Sequence, residues 1–273
     1  MSDFDSTITT KDSTWLALEA TKRYYQGDNE ERARLMKIWQ QHGKDYFTGY
    51  KQVLEEILNS KSVDGKFDLK GLESMLHKVD AFNTKQSLKL AQYHIFDDIE
   101  KSSFEALSQR VVLRPGVLEF MNKFLVEKNI PTQILSLNWL PGLIRSSLKG
   151  FVAPEDVHAN TVPAFQDASS QVLRSGEVSN GFEKRRLLRQ WAQKSTRSGP
   201  VVYVGDSMSD LPALLEADIG FLIGNSQTTL KICKLYGIKV VPAGSIRGAK
   251  SLCLAENTLY QVNSWKEIET LLF

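Results

Sequence analysis

Two aspartates stand two residues apart at Asp3 and Asp5, with Ser6, Thr7 and Thr9 directly behind them. Along an extended segment, side chains at a spacing of two point the same way, so both carboxylates address one cavity while Phe4 turns into the apolar layer behind. Such a pair supports a division of labour toward a phosphate ester. One carboxylate attacks phosphorus, and the other carries the proton that the departing alcohol needs. A carboxylate attacks a dianionic phosphate poorly unless charge is neutralised, so the pair calls for a hard divalent cation, Mg2+ before others. The competing reading is a helix cap, because Asp, Ser and Thr are also the usual capping side chains.

The elements that would position these groups follow from periodicity. From Asp12 to Leu107 the chain is charged and helical: Leu35, Ile38 and Trp39 form one stripe, and Tyr46, Tyr50, Val53, Leu54, Ile57 and Leu58 a longer one. A turn at Gly65 then leads to a further helix capped by Asp68. At Val111–Gly116 the character changes. Short apolar runs at Ile134–Leu135, Val201–Val204, Ile219–Ile223 and Ile238–Val241 alternate with helical stretches such as Leu187–Trp191 and Leu211–Glu216. This is the pattern of buried parallel strands in a doubly wound α/β sheet. Ligands in such sheets bind at the carboxyl ends of the strands, where Ser136, Asp206 and Gly224 fall. A hairpin-like excursion is expected between His158 and Val178, and Leu259–Val262 reads as an edge strand before a closing helix capped by Asn263 or Ser264. The expected division is a core of residues 1–12 plus 110–273, with a helical lobe over 13–109.

Composition narrows the function classes. With 273 residues, 42% of them apolar, the chain can bury a large core plus a smaller lobe. Lys and Arg number 34 against 32 Asp and Glu, a balance that gives no reason to expect nucleic acid or an anionic membrane as partner. Cys233 and Cys253 lack a Cys-x-x-Cys spacing, which points to a reducing compartment without disulfide or structural zinc. No charged-then-apolar leader and no apolar run of membrane length stand in the sequence, so the expectation is a soluble, cytoplasmic protein.

Taken in order, the Asp3/Asp5 pair, Ser136 after an apolar run, Lys184 before a helix, and Gly205-Asp206-Ser207-Met208-Ser209-Asp210 after a strand resemble the haloacid-dehalogenase-like phosphatase superfamily. The long helical insertion after the first motif resembles its phosphoserine-phosphatase-like subgroup with a helical cap. The resemblance implies a Mg2+-dependent phosphoric monoester hydrolase in which Asp3 is the nucleophile, forming an aspartyl-phosphate, and Asp5 the general acid and base. It implies that Ser136 donates to a phosphoryl oxygen, that Lys184 balances charge, and that Asp3, Asp5 (through its carbonyl), Asp206 and Asp210 form the metal site. Leu137 and Asn138 depart from the Gly-rich form of phosphoserine phosphatases. Leu135–Ile144, the Asn160 hairpin and Leu211–Gly220 look similar to the phosphatase domain of plant thiamine-monophosphate phosphatases and to fungal relatives. That implies a small, cationic phosphate monoester as substrate, with Leu137 and Asn138 beside it. Asp12 stands where phosphoserine phosphatases place an acid facing the substrate amine; its alternative is a helix cap.

One departure concerns the first strand. The family's nucleophile ends a central strand, which needs four or five apolar residues before it, and here Met1 and Ser2 precede Asp3. The expectation is therefore either a start that lies downstream of the true one or a truncated central strand, and for the chain beginning at Met1 a less stable sheet and a mobile Asp3. The rival function follows from that: a catalytically impaired relative acting as a binding or interaction protein. A phosphoacceptor signalling domain fits less well, since its acidic pair would not lead directly into a long helical insertion.

Overall fold

The computed structural model describes residues 1–60, 63–166, 172–194, 199–246, 252 and 256–272. The runs rich in β-branched and aromatic residues form parallel strands, because such side chains pack well on a pleated surface buried on both faces. Strand β1 (Ile134–Ser136) pairs in parallel with β2 (Val157–Ala159). Strands β3 (Val202–Gly205), β4 (Ile219–Ile223), β5 (Lys239–Pro242) and β6 (Thr258–Val262) form a second parallel set in the order β3-β4-β6-β5. Leu259–Val262 is thus an inner strand and not the edge expected above. The edge is β5, whose side chains are exposed or half-buried while those of β6 are mostly buried. β2 had no counterpart in the sequence reading, since three residues with His158 at their centre carry no apolar run.

The two sets meet at Ser2, which bridges in parallel to both Ile134 and Val204. Ser2 N–H donates to Gln133 and its carbonyl accepts from Leu135 N–H, while Asp3 N–H donates to Val204 and Val204 N–H to Met1. The expected short first strand is this single rung. Beside it lies a largely apolar cavity of about 600 Å3 whose walls include Phe124, Ile130, Val202, Trp265 and Leu272.

The helical insertion begins with 3-10 turns over Thr14–Ala20 and a short α1 (Lys22–Gln26), then α2 (Asn29–Asn59) and α3 (Leu69–Ala91). The two apolar stripes read from the sequence lie on one helix of 31 residues, capped by Asp28, whose side chain accepts from Glu31 N–H. Asp68 caps α3 as expected, accepting from Gly71 N–H. After α4 (Ser103–Ser108) the chain returns to the sheet through α5 (Val117–Met121); α6 (Pro141–Ser147) follows β1. The remaining helices are α7 (Gly181–Lys194), α8 (Leu211–Glu216), α9 (Gln227–Leu235) and α10 (Trp265–Leu272).

An apolar cluster containing Phe4, Val117, Met121, Phe221 and Trp265 fills one side of the sheet. A second contains Tyr203, Leu188, Leu214 and Ile232, and it also takes in Ile57, Leu72, Met75, Leu76 and Val79 from α2 and α3. The insertion is therefore seated on α7 and α9, helped by the Arg185–Glu73 ion pair at 2.7 Å and the stack of His77 on Phe182 at 4.4 Å. Phe165 bridges antiparallel to Leu173, as a hairpin would; its tip, 167–171, lies outside the described residues. Cys233 is buried with a free thiol that burial pushes up to about 12, and Cys253 lies outside the described residues.

Candidate active site

Asp3 follows the Ser2 rung, Ser136 ends β1 and Asp206 follows β3, so the carboxyl ends of neighbouring parallel strands bring them to one edge of the sheet. Asp3, Asp206 and Asp210 offer oxygens that all lie within 4.8 Å of one another. Asp3 is 6% exposed, and it is held by its N–H bond to Val204 and by Lys184, whose Nζ is 2.9 Å from Oδ1. The expectation of a loosely placed Asp3 does not describe this geometry, because the backbone of β3 and the ammonium grip it from two sides. Lys184 projects from the first turn of α7, is fully buried, and also lies 2.8 Å from Asp210 Oδ1.

The electrostatics follow from three acids against one ammonium. Burial, together with the charges of Asp210 and Asp206, holds the Asp3 carboxyl well above the usual range despite Lys184. Burial and Asp210 likewise push Asp206 up to about 7. Burial alone would lower Lys184, but the charges of Asp210 and Asp3 more than reverse it and raise its pKa. Asp3 Oδ1 is buried and, although ion-paired with Lys184, has no aligned hydrogen-bond donor. A divalent cation fits such a set. It would neutralise the excess negative charge and engage the oxygen that no donor satisfies.

The hydrogen bonds show how each acid is held. Asp210 Oδ1 accepts from Lys184 Nζ and from the Tyr203 hydroxyl at 2.9 Å. Its Oδ2 accepts from Asp206 N–H, Ser207 N–H and the Ser207 hydroxyl. Both oxygens of Asp210 thus accept bonds from the protein, and with Asp3 and Asp206 it completes the acidic triad that could hold the cation. Thr7 Oγ1 donates to Asp206 Oδ1 at 3.0 Å. The Asp5 carboxylate stands apart from the cluster. Its Oδ1 accepts from Ser13 N–H at 2.7 Å and from the Ser13 hydroxyl at 2.6 Å, and its Oδ2 from Asn138 Nδ2 at 2.6 Å. Burial and the charge of Asp12 raise Asp5 to about 6, against the pull of the Ser13 and Asn138 bonds. A carboxyl at that value can both give and take a proton near neutrality.

Ser136 is buried, and its Oγ accepts from Asn138 N–H at 3.2 Å. Asn138 also donates to Ser13, and its Oδ1 accepts from Leu140 N–H. Expected as a substrate contact, Asn138 instead ties Asp5, Ser13 and the loop after β1 together. Leu137 is half-buried between Ser136 and Asn138. Asp12 is exposed and accepts from Thr14 N–H at 2.7 Å, a bond two residues ahead that closes a local turn, while the cap position of the following 3-10 turns is Ser13; its charge is also felt by Asp5 and by Tyr46 on α2.

The turn between Asp5 and Thr7 is braced from a distance. Ser6 takes a left-handed φ of 56°, and its carbonyl accepts from Arg114 Nε and Nη2 at 3.0 and 2.6 Å. The Thr7 carbonyl accepts from Trp265 Nε1 at 2.9 Å. Sequence reasoning missed Thr7, Ser13, Arg114 and Tyr203. Their signals were weak: hydroxyls in a hydroxyl-rich stretch, an arginine before Pro115, and a tyrosine in a run that any buried strand could carry.

No family model matches the chain. It is 28% identical to the bifunctional TH2 protein of Arabidopsis thaliana, named as mitochondrial, over 98% of this chain and 48% of that protein; the chain thus spans about half the length of this plant relative. It is 27% identical to a CTO1 family protein of Schizosaccharomyces pombe, over 98% of this chain and 96% of that one. Among solved structures, a phosphoserine phosphatase with a phospho-aspartyl intermediate analogue matches with a TM-score of 0.50 at 14% identity, covering 98% of this chain and 95% of that one. A HAD family hydrolase from Salmonella enterica serovar Typhi matches with a TM-score of 0.51 at 15% identity, covering 99% and 70%.

Proposed function

The chain has the haloacid-dehalogenase-like fold with a helical cap, and from that premise we propose that it hydrolyses a small phosphate monoester through a covalent phosphate on Asp3. The observation that carries this reading is the separation of two acids on one short turn. Asp3 stands in the cluster with Lys184 and Asp206, while Asp5 is held apart by Ser13 and Asn138 at a pKa of about 6.

Asp3 attacks phosphorus as the Asp5 carboxyl gives its proton to the departing alcohol oxygen. The bond from phosphorus to that oxygen breaks as the bond to the Asp3 carboxylate forms. Asp5, now ionised, takes a proton from the water that releases phosphate and restores Asp3. Lys184 favours the ionised form of Asp3, though not enough alone to offset burial, and meets the charge growing on phosphorus, and the Ser136 hydroxyl donates to a phosphoryl oxygen. Mg2+, which Asp3, the Asp5 carbonyl and Asp206 would hold with Asp210 behind them, would supply the positive charge that lets an anionic nucleophile approach an anionic ester.

The core groups recognise phosphate, so selection among alcohols falls to residues 13–109, taken as the cap. The charge of Asp12 acts on both Asp5 and Tyr46, and Tyr50 reaches Met208 at 3.9 Å, an acid and two aromatic rings near the proposed site that support an alcohol carrying positive charge as the substrate. The cytoplasm is the proposed compartment, to be checked by fractionation. The test of the activity is a panel of phosphoserine, thiamine monophosphate and nucleoside monophosphates with and without Mg2+, run beside Asp3→Asn. Turnover should need Mg2+ and fall at least about a thousandfold in the variant, roughly 4 kcal/mol of lost transition-state stabilisation. Turnover by Asp3→Asn within about tenfold of the parent would reject the mechanism.

A further inference from the structure

Tyr203 is a fully buried side chain at the centre of β3, and a hydroxyl placed there must find a partner or cost free energy. Its partner is Asp210 Oδ1 at 2.9 Å, the same oxygen that lies 2.8 Å from Lys184 Nζ. Lys184 in turn lies 2.9 Å from Asp3 Oδ1. The backbone makes this chain possible. Residues 203 and 205 share one face of the strand, and at 205 a glycine leaves room for the Asp210 side chain, whose Cβ and Cγ a Cβ there would meet at 2.5 Å.

We propose that Tyr203 is a positioning residue for the Asp3 reaction: by donating to Asp210 Oδ1 it divides that oxygen between two donors and leaves the Lys184 ammonium shared with Asp3. Asp210 Oδ2 is already saturated by the Ser207 and Asp206 donors. Oδ1 is therefore the one oxygen of Asp210 whose pull on Lys184 can still be adjusted, and the Tyr203 hydroxyl adjusts it. Without the hydroxyl, Oδ1 faces Lys184 with its charge undivided, and the ammonium moves toward Asp210 and away from the nucleophile. The substrate side of the site is not touched by Tyr203, so the effect belongs to turnover and not to binding.

This inference rests on the phosphatase reading for its kinetic arm, and the test has a second arm that does not. Tyr203→Phe removes the hydroxyl and keeps the ring. With the ester that the parent enzyme turns over, kcat should fall by about tenfold with KM within about twofold. In 15N-lysine-labelled protein, the Lys184 ammonium resonance, assigned by its loss in Lys184→Met, should be displaced by Tyr203→Phe in the absence of any substrate. A kcat within about twofold of the parent, or an unmoved Lys184 resonance, overturns the proposal. So does a variant that fails to fold, since the hydroxyl would then serve stability. If the parent turns over no phosphate ester, the phosphatase reading falls. The resonance alone then decides whether Tyr203 positions Lys184.

Discussion

Asn138 shows how one side chain can be read two ways. Its sequence position beside Ser136 suggests a substrate contact, but its amide is shared between Asp5 and Ser13 and its carbonyl oxygen accepts from Leu140 N–H. A residue that orients an acid affects proton transfer more than binding. Asn138→Ala should therefore lower kcat by about 10- to 100-fold while KM stays within about twofold, because general acid catalysis is worth about 100- to 10,000-fold in all and Ser13 remains in place. Steady-state kinetics on the preferred ester check this; a raised KM at unchanged kcat would return Asn138 to the substrate side. Asp210 carries a related lesson. The resemblance marked it as part of the metal site, and it does stand in the acidic triad with Asp3 and Asp206, but its oxygens also serve Lys184, Tyr203 and the loop after β3. Spacing brings a carboxylate to a site without saying which donors will reach it first.

The elements were legible where one physical cue dominated. Ile219–Ile223 is a strand in sequence and structure alike because a buried run with four apolar side chains ends in a glycine with φ of 90° at Gly224. Asp68 announced the start of α3 because a side-chain oxygen there meets an orphan N–H. Strand order was not legible. β6 and β5 carry similar short apolar runs, and only their packing partners decide which lies inside. Nor was the seat of the cap, which depends on contacts between residues far apart in sequence. One such contact lies at Gly237, after α9, whose left-handed φ of 67° places its Cα against the backbone of Lys66, while Asp68 N–H donates to Tyr236 at 3.1 Å. Gly237→Ala adds a methyl against that backbone in a conformation unfavourable to L-residues. It should lower stability by roughly 2 to 5 kcal/mol. Denaturant unfolding measures this, and a loss below about 0.5 kcal/mol would mean that the cap loop gives way freely.

Over the whole molecule, the acids at the strand ends set the response to pH. Burial and neighbouring charge raise Asp5 to about 6, Asp206 to about 7 and Asp3 well above its ordinary value. Without a cation the folded protein keeps protons that the unfolded chain, with carboxyls near their ordinary values, has already released. The stabilisation is full below about pH 4 and is lost as pH rises through the folded values. In chelator, the melting temperature should fall between pH 5 and pH 8. Mg2+ should restore it at pH 8 and do little at pH 5, because a cation binds the ionised site alone. Thermal melts at both values, with and without Mg2+, decide this; a melting temperature that rises with pH in chelator would contradict it. The molecule is also joined across its middle in an unusual way. Among the described residues, the β1–β2 pair and the four-stranded set meet at the Ser2 rung, with Asp3 one residue beyond. Side chains bind the two sets as well, since Ile134 and Val157 share an apolar cluster with Val204 and Phe221. In the proposed reading the phosphate site would therefore lie over this seam, with Asp3 beside the rung, Ser136 on one side and Asp206 on the other.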